Sequence, residues 1–313
     1  MIRVFRALTR PEYFFRPRQM WLRLRRSALP ADEARTAWGL PVATGESSLI
    51  SVDICNIGLH DRIVPEAICR LLDAGERALD LGANIGQNSS MMALAAGPLG
   101  RVTAFEPGER AANLLLRSVA KWTAFDVAAV GVVRKGVSSR KGTGMLHQFD
   151  DLGGATLEAA GATGEPIDPH QPAAEIELTT LDEVLPGSET AGLIKMDVEG
   201  HELAVLEGGA SVLQQHRVRD IVYEDFGKQP TAVRERLESL GYTVFYLFPA
   251  WGRPILVPIG ESGPWLQRAR SEPNFLATID PQRAVQRFRP RGWRCLRLRA
   301  LPKFPTDQTK SGG

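Results

Sequence analysis

The passage from Arg77 to Ala96 constrains this chain most. Ala78-Leu79-Asp80-Leu81 is short and apolar, as a buried strand is. Gly82-Ala83-Asn84-Ile85-Gly86 is a glycine-bearing loop, and Ser89 to Ala96 reads as a helix. Glycines at such a turn let the backbone approach a ligand closely, and the helix that follows offers N–H groups at its start. A strand running through such a loop into a helix is the opening unit of an α/β domain that binds a nucleoside cofactor.

The alternation continues downstream. Arg101 to Phe105 reads as a second strand closed by Glu106-Pro107, Ala111 to Trp122 as an amphipathic helix, and Val127 to Val133 as a third strand. Leu193 to Met196, Ile221 to Tyr223, Thr243 to Phe248 and Asn274 to Thr278 supply further strands, with helices over His201 to Gln215 and Thr231 to Leu240. Strands alternating with helices of this length predict a parallel sheet covered on both faces. Ahead of this unit, Leu49 to Ile54 reads as a short strand and Pro65 to Leu72 as a helix. Residues 134–175, rich in Gly, Asp and Pro, read as a loop-rich insertion beside the site. Thr180-Leu181-Asp182-Glu183 is a capping box opening a short helix. The expected organisation is a basic arm over 1–48, one domain over 49–280 and a basic tail over 281–313.

The loop also carries chemistry. A dinucleotide fingerprint would read G-x-G-x-x-G with a pyrophosphate on the helix end. Here the spacing is G-x-x-x-G, and Asp80 stands two residues before the first glycine. A carboxylate there repels a pyrophosphate and suits a cofactor with a cationic amino-acid end. S-adenosylmethionine has an ammonium, a sulfonium and no phosphate, so the loop favours it over NAD. Glu106, at the end of the second strand, is placed to accept hydrogen bonds from ribose hydroxyls.

Three blocks then carry a resemblance: Leu79 to Gly86, Ala104-Phe105-Glu106-Pro107, and Thr180 to Val184 followed by Ile194-Lys195-Met196-Asp197-Val198-Glu199-Gly200-His201-Glu202. With these the chain resembles the FkbM-type methyltransferases, over about residues 51–280. The resemblance implies a class I methyltransferase fold: a seven-stranded, Rossmann-like, mostly parallel sheet with one antiparallel strand and helices on both faces. It implies S-adenosyl-L-methionine as cofactor, held around its methionine part by Asp80, Gly82, Ala83, Asn84 and Gly86 and at its ribose by Glu106. It implies O-methylation of a hydroxyl on a saccharide or secondary metabolite. Nitrogen or carboxyl methylation on the same fold is the alternative, as is a cofactor-binding scaffold without transfer.

A sulfonium is already an excellent methyl donor, so most of the work is alignment of the acceptor oxygen, methyl and sulfur. A neutral hydroxyl must still lose a proton to a base or a metal-held oxygen. Asp197 and Glu199 lie where ligands bind in open α/β sheets, and His201 opens the next helix, so these three are the expected catalytic residues. Glu224 and Asp225 after the fifth strand would complete a magnesium site with Asp197, but transfer without a metal is the expectation. His60, His147, His170 and His216 read as structural or exposed.

The net charge of +2 is unevenly spread. Eight Arg and one acid occupy residues 1–30, and seven Arg with Lys303 and no acid occupy 283–303. The rest holds 35 acids against 22 bases. The basic ends are expected to pack on the acidic middle rather than bind nucleic acid, since no recognition motif accompanies them. No apolar run reaches the length of a membrane span, and no signal-peptide pattern opens the chain. Three widely spaced cysteines, Cys55, Cys69 and Cys295, fit neither a disulfide framework nor a zinc site and predict a reducing cytoplasm.

Overall fold

The computed structural model describes residues 32–45, 49–148, 155–158, 173–226, 230–250, 252–260 and 274–303. The arginine-rich stretch of residues 3–26, His170 and the Gly/Pro breakers near 164–169 lie outside them. β1 (Glu33–Arg35) and β2 (Pro41–Ala43) pair antiparallel, then α1 (Leu49–Ile57) and α2 (Ile63–Leu71) lead into β3 (Arg77–Leu81). α3 (Gln87–Ala96), β4 (Arg101–Phe105), α4 (Glu109–Trp122) and β5 (Ala129–Val133) complete the first half. β6 (Gly136–Val137), β7 (Gly142–Gln148), β8 (Ala155–Glu158) and β9 (Ala173–Thr179) form a separate small sheet. The second half runs α5 (Leu181–Val184), β10 (Ala191–Met196), α6 (Glu202–Gly208), α7 (Ala210–Gln214), β11 (Val218–Glu224), α8 (Ala232–Ser239), β12 (Thr243–Ala250), β13 (Arg253–Pro258), β14 (Asn274–Thr278) and α9 (Pro281–Phe288).

The main sheet has the order β13-β12-β14-β11-β10-β3-β4-β5. β11, β10, β3, β4 and β5 are mutually parallel, and β14 is antiparallel to both β11 and β12. The expected mostly parallel sheet is therefore present, but it has eight strands where seven were expected. The extra strand is β13, which folds back on β12 as an antiparallel hairpin. Pro254 and Pro258 disguise it in the sequence, and they are tolerated because β13 is an edge.

Three further expectations are corrected. Leu49 to Ile54 is not a strand but part of α1: its buried positions include Ser51, Ile54 and Ile57, spaced by a helical turn rather than by two. The expected helix from His201 to Gln215 is broken into α6 and α7 at Gly208-Gly209. A Cβ at Gly208 would overlap the Ser138 carbonyl, and one at Gly209 would come within 2.6 Å of the Leu181 side chain. Close packing here needs two glycines, and they end the helix. The stretch 134–175 is not only loop, because β6 to β9 lie largely within it. Among the described residues its own core cluster is Leu146, Ile176 and Leu178, too few apolar residues to leave a clear alternation.

Apolar residues alternate along the main strands, so the sheet has a core on each face. On one face lie α1 to α4 and α9, with Trp38, Trp122 and Trp293 fully buried. On the other lie α5 to α8. The described parts of the terminal segments pack on the first face. Trp38 Nε1 donates to Ser90 Oγ at 2.9 Å, and the Ala300 N–H donates to the Trp38 carbonyl at 2.8 Å. No helix among the described residues is long and apolar enough to cross a membrane.

Candidate active site

Register decides which side chains meet at the C-terminal ends of the parallel strands. Asp80 on β3 pairs with Lys195 on β10 and with Ala104 on β4, and Lys195 pairs with Val222 on β11. Neighbours in register share a face, and so do residues two apart on one strand. Asp80, Glu106, Lys195 and Glu224 therefore all project to the face covered by α2 and α3.

The loop after β3 is built by backbone hydrogen bonds. The Phe105 carbonyl accepts from the Gly82 and Ala83 N–H groups at 3.0 and 2.9 Å, and the Ala83 carbonyl accepts from Gly86 N–H at 3.0 Å. Gly82 adopts φ +75°, and a Cβ there would overlap the Asp197 carbonyl, so the loop sits directly against the end of β10. Asn84 takes φ 49°, a left-handed conformation uncommon for any residue but glycine. Its N–H donates to Glu106 Oε2 at 2.8 Å, while Glu106 Oε1 accepts from Gly108 N–H at 2.8 Å. A carboxylate has about four acceptor positions, so two hydroxyls can still be accommodated. Burial pushes the Glu106 carboxyl above the ordinary glutamate range, and the two backbone N–H groups pull it back.

Asp80 is fully buried. Its Oδ2 accepts from Ser89 Oγ at 2.5 Å, and its Oδ1 has no hydrogen-bond partner, facing the Lys195 ammonium at 3.5 Å. The loop of five residues and the two acids expected from sequence thus come together in one place. Lys195 was not singled out as a site residue. Its Nζ donates to the Gly82 carbonyl at 2.7 Å and lies 3.3 Å from Asp197 Oδ2. Burial works to lower its pKa, but the charges of Asp197 and Asp80 outweigh this and raise it.

The D-V-E-G loop after β10 is shaped by Glu202, whose Oε1 accepts from the Val198 and Gly200 N–H groups at 3.3 and 3.2 Å. Glu199 has φ 52° and Gly200 φ 89°. A glutamate in that conformation is strained, and such strain gathers at functional sites. The Asp197 side chain is 37% exposed. Glu199 opens to solvent on one side, while partial burial and the charges of Asp197 and Glu202 push its carboxyl up to about 7. Glu224, at the end of β11, is pushed up to about 8 by burial and by Asp197, Asp61 and Glu199. Asp61 enters from the turn before α2, where its Oδ1 accepts from Arg62 and Ile63 N–H at 2.6 and 3.2 Å.

His201 is placed differently. Its ring is buried, with Nε2 2.9 Å from Ser138 Oγ, and burial lowers its pKa. It joins α6 to the segment between β6 and β7 and does not join the open acids. Asp225 pairs with Thr231 Oγ1. Among the described residues no group of three or more His, Cys, Asp or Glu side chains is arranged to hold a metal ion.

The arrangement offers a loop that can approach a ligand, a buried acid for a cationic group, an acid with spare acceptor positions, and carboxyls that exchange protons near neutrality. Comparison with known proteins gives these likenesses. The family model described as "Methyltransferase FkbM domain" matches residues 80–244. Methyltransferase sdnD of Sordaria araneosa is 33% identical over 189 residues, covering 52% of this chain and 70% of that protein. Among solved structures, a SAM-dependent O-methyltransferase from Thermotoga maritima is 16% identical, with 82% of this chain and 80% of that one covered and a TM-score of 0.39. Fibrillarin from Aeropyrum pernix, in complex with natively bound S-adenosyl-L-methionine, is 14% identical, with 69% and 75% covered and a TM-score of 0.35.

Proposed function

This chain belongs to the FkbM methyltransferase family, and as a member of that S-adenosyl-L-methionine-dependent family we propose that it methylates a hydroxyl oxygen on a saccharide or secondary metabolite. Asp80 receives the cofactor's ammonium, with Gly82, Ala83, Asn84 and Gly86 around its methionine part. Glu106 receives the ribose hydroxyls. The acceptor lies over Asp197 and Glu199.

One observation carries the choice of a hydroxyl: Glu199, on a strained loop at the sheet's C-terminal edge, has its carboxyl pushed up to about 7. A base poised near the working pH is what a neutral hydroxyl requires. When bound, the cofactor would supply an activated methyl group for the acceptor oxygen, with its sulfur leaving as a neutral thioether. The hydroxyl proton passes to the Glu199 carboxylate, and Asp197 orients the acceptor. His201, buried against Ser138, holds the loop rather than the proton.

With methyl-labelled donor and a panel of hydroxylated acceptors, the product is expected to be a methyl ether whose label survives mild alkali. Label released by alkali would mark a methyl ester and move the assignment to carboxyl methylation. Glu199→Gln should lower kcat on the order of 10²–10⁴-fold, the usual contribution of a general base, with cofactor binding retained. A chelator should leave the rate unchanged. A rate lost in chelator and restored by magnesium would replace this mechanism with one in which Asp197 and Glu224 hold the ion.

A further inference from the structure

Lys195 is 4% exposed, and no proton transfer described above uses it. Five carboxylates of the described residues interact with its ammonium at this edge. Asp80 faces it from β3, Glu106 from the end of β4, Asp197 and Glu199 from the loop after β10, and Glu224 from β11. Its contacts divide in two. On one side are the Gly82 carbonyl at 2.7 Å, the Leu81 carbonyl at 3.4 Å and Asp80 Oδ1 at 3.5 Å, all belonging to the cofactor loop and its strand. On the other is Asp197 Oδ2 at 3.3 Å, on the acceptor side. The two sides already touch through backbone, since Asp197 N–H donates to the Leu81 carbonyl at 3.2 Å.

We infer that Lys195 is a positioning residue that couples the two halves of the site, one buried ammonium holding the cofactor loop with Asp80 on one side and Asp197 on the other. Among the described residues Asp80 Oδ1 has no hydrogen bond, and the Lys195 ammonium is the cation that faces it. A fully buried carboxylate stripped of its counter-charge takes up a proton. Asp80 would then meet the cofactor's ammonium as a neutral acid. Conversely, loss of Asp197 would turn the ammonium wholly onto Asp80 and weaken the attraction for the incoming cation. Loss of the shared ammonium is therefore read in the protons exchanged on binding as well as in affinity.

The test reads binding of the demethylated product, S-adenosylhomocysteine, which needs no acceptor. Its outcome is therefore independent of which hydroxyl, if any, is methylated. Lys195→Met should bind it at least tenfold more weakly than the wild type at pH 6.5, and the shortfall should shrink as pH rises to 8.5. Calorimetry in buffers of different ionisation heat should show more protons released on binding than for the wild type. Asp197→Asn should weaken binding about threefold to tenfold alone, and have no further effect on the Lys195→Met background. Should Lys195→Met fail to fold, Lys195→Gln, which keeps a donor but no charge, takes its place in the same measurements. A loss that is the same at every pH with no extra protons released would show a merely structural lysine and overturn the inference. So would an Asp197→Asn effect of equal size on both backgrounds.

Discussion

Toward the N-terminal ends of the parallel strands, four carboxylates meet four guanidinium groups: Glu66, Asp73, Glu76 and Asp220 against Arg70, Arg219, Arg283 and Arg287. At the C-terminal ends, five carboxylates face the Lys195 ammonium among the described residues. In the first cluster nearly every donor and acceptor is used. Arg70 Nε donates to Glu66 Oε1 at 2.6 Å, and its other nitrogens donate to the carbonyls of Arg287, Pro290 and Gly292. Glu66 accepts in turn from the Arg294 and Cys295 N–H groups at 3.0 and 2.8 Å. Both side chains are fully buried. This is a clamp that ties the C-terminal segment to α2. The second cluster leaves charge unbalanced, a buried carboxylate oxygen without a hydrogen bond among the described residues, and two glutamates pushed toward neutral pH. Buried charge that is balanced fixes a structure, whereas buried charge left over is kept for a ligand. Here the missing positive charge matches a cationic cofactor.

The largest effect expected from this contrast is at the clamp. Arg70→Met leaves Glu66 buried without its counter-ion, and breaking one partner of a buried pair costs about 3–5 kcal/mol. Urea unfolding should show that loss, while the molecules that remain folded bind cofactor with wild-type affinity. A variant of normal stability but weakened cofactor binding would erase the distinction between the two clusters. Next come the acids of the site. Asp80→Asn and Glu106→Gln should each weaken cofactor binding by about 1.5–3 kcal/mol, the range for hydrogen bonds to charged groups. Stability without cofactor should stay level or rise, since each removes one surplus negative charge. Large destabilisation by either would show that the upper cluster also holds the fold together.

Legibility in the sequence followed the same divide. The β3 loop, Glu106, Asp197 and Glu199 were readable because each lies at a strand end next to a glycine or inside a short motif, where local pattern and function coincide. Lys195 stands in the motif beside Asp197, but its role depends on register with Asp80, which is 115 positions away. Glu224 was readable from its place after the fifth strand, whereas Asp61 joins the site only because α2 packs beside β11, and no local spacing relates it to the other acids. The clamp was invisible for the same reason: Arg70 reaches Gly292 across 222 residues of chain. Among elements, those with strong alternation or amphipathicity were found, as at β4 and α4. β13 was hidden by its prolines, α1 by β-branched residues that suit either structure, and β6 to β9 by a core of three residues among those described.

The smallest effect is in the pH dependence of stability, where the two clusters should pull in opposite directions. At the clamp, burial works to raise the Asp73 carboxyl, but hydrogen bonds and charge from Arg283 and Arg287 outweigh it and hold the group below its ordinary value. A depressed carboxyl contributes stability above its unfolded pKa of 3.8, and loses it as pH falls through the lower folded value. Glu224 is the reverse case, raised from 4.5 to about 8. Its contribution is fully present below pH 4.5 and is lost as pH rises toward 8, because the folded state then holds an unwelcome charge. Glu224→Gln should therefore flatten the decline of stability between those limits, making the variant more stable than the wild type near pH 8 by on the order of 1–2 kcal/mol after solvent screening. Asp73→Asn should leave that window alone and remove part of the acid-side loss. Cofactor sharpens the test, since a bound cation offsets the surplus charge and should reduce the gain from Glu224→Gln. A gain unchanged by cofactor would mean that Glu224 lies outside the field of the bound ligand, and would take it out of the site.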